Sequence, residues 1–98
     1  MNVIKNYEGK ILNIIIEGRI DTTTAPELDK EIQDSINGVE MLALDFKSVE
    51  YISSAGLRVL LRAQKTMNKQ GKMEIFGANE SVKEVFDITG FSDILTLR

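Results

Sequence analysis

Ser53 and Ser54 stand side by side, three and two residues ahead of a break at Gly56 and an apolar run from Leu57 to Leu61. A hydroxyl placed there has two uses. It can cap a helix by accepting from a free backbone N–H of the first turn. It can also carry a phosphate, whose charge the positive end of the helix dipole favours. The spacing makes Ser53 the cap, accepting from the N–H of Ala55 or Gly56, and puts Ser54 in the first turn with its hydroxyl exposed. Gly56 costs about 1 kcal/mol relative to Ala inside a helix, which points to close approach of another backbone or to tight packing of helix on sheet. A Ser-Ser pair ahead of an apolar helix is usually just a cap, and the local pattern by itself favours that reading.

Catalysis by these hydroxyls has little to work with. The 98 residues include no His and no Cys. That rules out a Ser-His-Asp triad, a Cys nucleophile, a disulfide and zinc or copper sites built on His or Cys. Lys65 and Lys69 lie turns away from Ser54, and Asp45, Glu50, Glu80 and Glu84 lack the spacing of a calcium loop. The composition therefore points to a binding or switch module rather than an enzyme, with no metal or cofactor implied.

The elements that must position these residues alternate. Residues 2–6 and 10–17 read as two strands joined by a turn at Asn6-Tyr7-Glu8-Gly9. The near-continuous apolar run of the second suggests burial on both faces. A helix is expected over Ala25–Asn37, with Thr24 as cap, Glu27 at the capping-box position, Pro26 in the first turn and Asn37-Gly38 as the stop. Ala25, Leu28, Ile32 and Ile36 share its inner face. Residues 40–46 read as a buried strand, Lys47–Ile52 as a loop, and Ser53 or Ser54 to Lys69 as a second helix ended by Gly71. Lys72–Phe76 is a further strand. Asn79 or Ser81 caps a last helix whose inner face holds Val82, Val85, Phe86 and Thr89. Phe91–Leu97 reads as either a short strand or a packed tail.

The fold class is then α/β, a small mixed β-sheet with helices in the order β-β-α-β-α-β-α, forming a single domain over residues 1–98. In such sheets ligands favour the carboxyl edge of the parallel strands. Three loops meet there: Arg19–Thr24, Val49–Gly56 and Gly77–Glu80. They bring Asp21, Thr22, Thr23, Ser53, Ser54, Gly56 and Asn79 to one edge. Asp21 reads as a helix cap or as a contact for a partner. Thr22 and Thr23 read as local hydrogen-bonders, Leu57 as core at the helix start, and Arg58 and Arg62 as an outer charged face.

Charge and composition exclude further classes. Hydrophobic residues make up 43% and charged residues 28%, a balance that argues against disorder. The net charge of −3 gives no electrostatic footprint for DNA or RNA. No apolar run approaches a membrane span, and the residues after Ile16 offer no signal-peptide cleavage site. The lack of Cys is compatible with a cytoplasmic protein. No glycine-rich phosphate loop is present, which leaves a nucleotide-binding module poorly supported.

The segment Asp45-Phe46-Lys47-Ser48-Val49-Glu50-Tyr51-Ile52-Ser53-Ser54-Ala55-Gly56-Leu57-Arg58-Val59-Leu60-Leu61 resembles the signature of the bacterial anti-sigma factor antagonists, which are stand-alone STAS domains. The stretch Glu17-Gly18-Arg19-Ile20-Asp21-Thr22-Thr23-Thr24-Ala25-Pro26-Glu27-Leu28 is similar to the family's connection between second strand and first helix. The resemblance implies a STAS-like fold and a phosphorylation switch. The unphosphorylated protein would bind an anti-sigma factor that is also a serine/threonine kinase, releasing a sigma factor. Phosphorylation would abolish that binding, and a PP2C-type phosphatase would reset it. The family's acceptor falls on Ser54, its acidic loop residue on Asp21, and its partner-binding surface on Asp21, Thr22, Ser53, Ser54, Gly56, Leu57 and Arg58. The family often has Asp just before the acceptor, where this chain has Ser53, so Ser53 stands as a competing acceptor. The other reading is an unphosphorylated STAS scaffold within a larger signalling or membrane-associated assembly.

Overall fold

A computed structural model describes residues 1–98. Asn2–Glu8 (β1) and Ile11–Ile20 (β2) form an antiparallel hairpin. Ala25–Ser35 (α1) leads to Met41–Ile52 (β3), Ser54–Gln70 (α2), Lys72–Phe76 (β4) and Glu80–Thr89 (α3). A single 3-10 turn follows at Phe91–Asp93. The strands lie in the order β1-β2-β3-β4, with β2, β3 and β4 parallel.

That order decides where the helices go. Both crossovers step the same way across the sheet, and right-handed crossovers in one direction put their helices on one face. Leu12, Ile14 and Ile16 of β2, Leu42, Leu44 and Phe46 of β3, and Met73 and Ile75 of β4 are all buried on that face. Leu28 and Ile32 of α1, Leu60 and Met67 of α2, and Val82 and Phe86 of α3 join them in one core. Phe46 and Phe86 meet with ring centroids 6.3 Å apart. The alternate residues Asn13, Ile15, Ala43 and Asp45 stay partly exposed. The expected burial of β2 on both faces is thus corrected: its isoleucines alternate, and only every second one enters the core.

Several boundaries also differ from expectation, and β2 runs on to Ile20 instead of ending at residue 17. The hairpin turns at Gly9-Lys10, because Glu8 pairs with Ile11 and Gly9 takes φ 62°, while Asn6 and Tyr7 stay in the ladder. Helix α1 stops at Ser35, two residues early. Most consequentially, Lys47–Ile52 is strand rather than loop. Ile15 pairs with Asp45 but Glu17 pairs with Ser48, and Gly18 pairs with Val49 but Arg19 with Tyr51. Each step gives β3 one residue more than β2, so β3 carries two bulges. Its buried residues there are Phe46, Val49 and Ile52, a spacing of three that hides a strand from a period-two reading.

The terminal segment resolves as a packed tail with one strand-like contact. Leu95 is buried, and Leu97 bridges Ile75 in parallel. The Ile75 N–H donates to the Thr96 carbonyl at 2.9 Å and the Arg98 N–H to the Ile75 carbonyl at 2.8 Å.

Candidate functional site

Because β2 and β3 run long, the loops at the carboxyl edge shrink. Ile20 pairs with Ile52 at the last rung, and the Ser53 N–H donates to the Ile20 carbonyl at 2.8 Å. One residue, Ser53, separates β3 from α2. The turn after β2 and the start of α2 are therefore bound to each other by the sheet.

Ser53 is the N-cap residue with extended backbone, but its side chain makes no capping bond. Its Oγ is buried and has no partner. The expected bond to the N–H of Ala55 or Gly56 is therefore absent, because the hydroxyl points into the protein instead of along the helix. Ser54, the first helical residue, is exposed. No acidic residue lies in the first turn of α2. The other helices differ: α3 has Glu80 in its first turn and is capped by Asn79, whose Oδ1 accepts from the Val82 N–H at 2.8 Å. Asn79 Nδ2 also donates to the Val49 carbonyl at 3.1 Å, which ties the third loop to the second. Asn79, not Ser81, is thus the cap.

Gly56 explains how α2 is seated. A Cβ at this position would lie 2.7 Å from Ile20 Cγ2 and 2.7 Å from Ile52 Cγ1. Of the two uses open to this glycine, the structure shows tight packing of helix on sheet. Leu57 beside it is buried in the core. Gly56 and Leu57 therefore hold the start of α2 down, while Ser54 and Arg58, one helical turn apart on the outside, are exposed. Arg62 is bound to Asp29 of α1 at 2.6 Å, and Arg58 makes no ion pair.

Asp21 organises the neighbouring turn. Its Oδ1 accepts from the Thr23 and Thr24 N–H groups, each at 3.0 Å, and from the Thr24 hydroxyl at 3.2 Å. The Thr24 hydroxyl accepts from the Asp21 N–H at 2.9 Å and lies 2.7 Å from the Arg19 carbonyl. Thr24 itself makes no side-chain cap to α1, so the expected capping box is replaced by this Asp21 turn. The Thr24 N–H, then those of Thr23 and the Thr24 hydroxyl, with Arg19 nearby, hold the Asp21 carboxyl below its ordinary 3.8 against the opposing effect of desolvation. Asp21 is accordingly a fixed negative charge at this edge. Thr22 and Thr23 are exposed at the tip.

Arg19 and Tyr51 were not singled out by sequence reasoning. They pair across the second bulge, and the Arg19 guanidinium lies 4.5 Å from the Tyr51 ring centroid. Tyr51 is 41% exposed, so this pair extends the same surface. The bulge brings them together, and nothing in local residue spacing announces it. The exposed surface thus presents Asp21, Thr22, Ser54 and Arg58 with Arg19 and Tyr51, around a helix end that no side chain caps.

Comparison with known proteins identifies the family of the chain. Residues 3–98 match the family model of the STAS domain. An anti-sigma-B factor antagonist of Listeria monocytogenes is 32% identical, over 97% of this chain and 85% of the relative. The fold superposes on an anti-sigma factor antagonist from Mycobacterium paratuberculosis with TM-score 0.89, at 21% identity over 98% of this chain and 83% of that one. It also matches the anti-sigma factor antagonist SpoIIAA. The unphosphorylated form gives TM-score 0.84, at 15% identity over 99% and 88% of the two chains. The phosphorylated form, from Bacillus, gives 0.77, at 14% over 99% and 91%. The chain belongs to the STAS domain family, and the relatives it resembles are anti-sigma factor antagonists.

Proposed function

We propose that this protein is an anti-sigma factor antagonist that works by partner switching, a binding regulator and not an enzyme. In its unphosphorylated form it binds an anti-sigma factor that is also a serine/threonine kinase, through the start of α2 and the Asp21 turn, and so frees a sigma factor. Phosphorylation of Ser54 abolishes the complex, and a PP2C-type phosphatase restores it. Asp21, Thr22, Ser54 and Arg58 make the contacts, and Ser53, Gly56 and Leu57 set the position of the helix end beneath them.

The observation that carries this reading is the contrast between the two hydroxyls. Ser54 is exposed on a helix start with no capping side chain and no acidic residue, whereas Ser53 Oγ is buried. Of the two serines, only Ser54 is within reach of a kinase. A phosphate there adds about −1.5 to −2 charges and gains about 0.3–1 kcal/mol from the helix dipole, so the fold tolerates it. Inside a closely packed interface the same charge, unpaired and beside Asp21, costs about 3–5 kcal/mol. That is roughly a hundred- to several-thousand-fold in affinity. The switch therefore acts on the interface and leaves the fold intact.

The test measures binding of wild type, Ser54→Ala and Ser54→Asp to the anti-sigma kinase of the same organism. Ser54→Ala should bind as wild type does and resist phosphorylation, and Ser54→Asp should bind at least tenfold more weakly. Equal binding by all three would overturn the proposal and favour an unphosphorylated scaffold.

A further inference from the structure

Helix α2 is basic from end to end. Its 17 residues include Arg58, Arg62, Lys65 and Lys69 and no Asp or Glu, in a chain whose net charge is −3. All four cations are exposed. They follow one another at four, three and four residues, so at about 3.6 residues per turn they fall within about 60° of the helix circumference. Gly56, Leu60, Ala63 and Met67, which are buried, lie on the opposite side. Ser54 stands one turn before Arg58 at the head of the same ridge, which runs for about 22 Å at about 1.5 Å per residue.

The fold leaves most of this charge unused. Arg62 meets Asp29 of α1 at 2.6 Å, while Arg58, Lys65 and Lys69 make no ion pair. The other acids of α1 do not supply partners. Glu31 binds Lys5 at 2.7 Å, Asp34 binds Lys30 at 2.8 Å, and Glu27 sits in the first turn of α1, where it complements that helix's dipole. Helix stability does not call for the ridge either. Arg58–Arg62 and Lys65–Lys69 are like-charge pairs at i,i+4, which weaken a helix. Only Lys69, in the last turn, complements the dipole of α2. A face that served solubility alone would mix its signs, as α1 does with Lys30 and Asp34.

We propose that the ridge is a docking surface for an acidic surface on the protein that binds at Ser54, so that contact extends along α2 as far as Lys69. The inference rests on the function proposed above, and the ridge continues that interface without a break. Charge complementarity selects the occupant. A nucleic acid or an anionic bilayer presents negative charge over a broad area, and would meet the acids of α1 beside the ridge and Asp21 at its head. A protein can place acids against α2 alone and match the opposite sign next to it. Exposed charges of this kind steer encounter and fix register more than they hold the complex together. Lys65 and Lys69 therefore act on the rate of association and on its dependence on salt.

The test measures association with the anti-sigma kinase of the same organism at low and at high salt. The variants are Lys65→Glu with Lys69→Glu, Ser54→Asp, and Lys83→Glu as a charge reversal on α3, off the ridge. The double variant should bind about tenfold more weakly than wild type at low salt, chiefly through slower association, and lose most of the salt dependence. Its Tm should stay close to that of wild type, because both lysines are exposed. Lys83→Glu should bind as wild type does. If Ser54→Asp weakens binding and the double variant does not, the ridge is overturned and the switch stands. If wild type does not bind the kinase at all, the proposed function falls and the ridge falls with it. Binding of duplex DNA or phosphatidylserine vesicles through Lys65 and Lys69, with kinase binding indifferent to them, would also overturn the proposal.

Discussion

At the scale of single residues, burial decides which hydroxyl is chemically available. Ser53 Oγ lies inside the protein and Ser54 outside it, although the sequence presents them as near equals. Gly56 is the residue whose replacement should be most telling. An alanine Cβ would meet two branches of buried isoleucines, Ile20 and Ile52, at 2.7 Å. Overpacking of this sort costs about 1–3 kcal/mol, which outweighs the roughly 1 kcal/mol that Ala gains in helix propensity. Gly56→Ala should therefore lower the unfolding free energy by up to about 2 kcal/mol, measurable by urea denaturation, and weaken partner binding because Ser54 moves with the helix start. Asp21 gives a pH test. Its pKa is lowered in the folded protein, so its contribution to stability is present above its ordinary 3.8 and is lost as pH falls through the folded value. Asp21→Ala should thus be less stable than wild type at pH 7, with the difference closing below about pH 4.

At the scale of elements, the site depends on how two strands end and one helix begins. Most of this was legible in the sequence. The order of elements, the start of α2 at Ser54 and the meeting of three loops at one edge follow from periodicity and capping chemistry, whereas the choice of Asn79 over Ser81 as cap of α3 is made only by the fold. The bulges of β3 did not, because a bulge breaks the alternation by which strands are recognised. Phe46, Val49 and Ile52 therefore look like anything but a strand, and the Arg19–Tyr51 pair that depends on the second bulge was invisible. The Asp21 turn is half legible: the acid stands out in the sequence, but its competition with the Thr24 capping box is decided only by tertiary geometry. Asn79 has a double role, as cap of α3 and as donor to the Val49 carbonyl. Asn79→Ala should cost about 0.5–2 kcal/mol for the cap alone. The loss should appear as faster amide exchange in the first turn of α3.

At the scale of the whole molecule, one core draws on all three helices and a sheet covered on a single face. A domain of 98 residues has little stability to spare, so a switch that worked by unfolding it would be hazardous. A phosphate at the uncapped start of α2 is instead mildly favourable. By the dipole effect and the usual relation between free energy and melting temperature, phosphorylation should raise Tm by about 1–8 °C while it abolishes partner binding. A fall in Tm on phosphorylation would contradict that separation of fold from interface. No helix is long and apolar enough to cross a membrane, and residues 3–98 align with the family model throughout.

The measurement that tests the central claim most directly is intact mass with site mapping on the protein isolated from its own host under growth and stress. The account predicts a single phosphate, on Ser54, removed by a PP2C-type phosphatase. Phosphate on Ser53, or none under any condition, would contradict it.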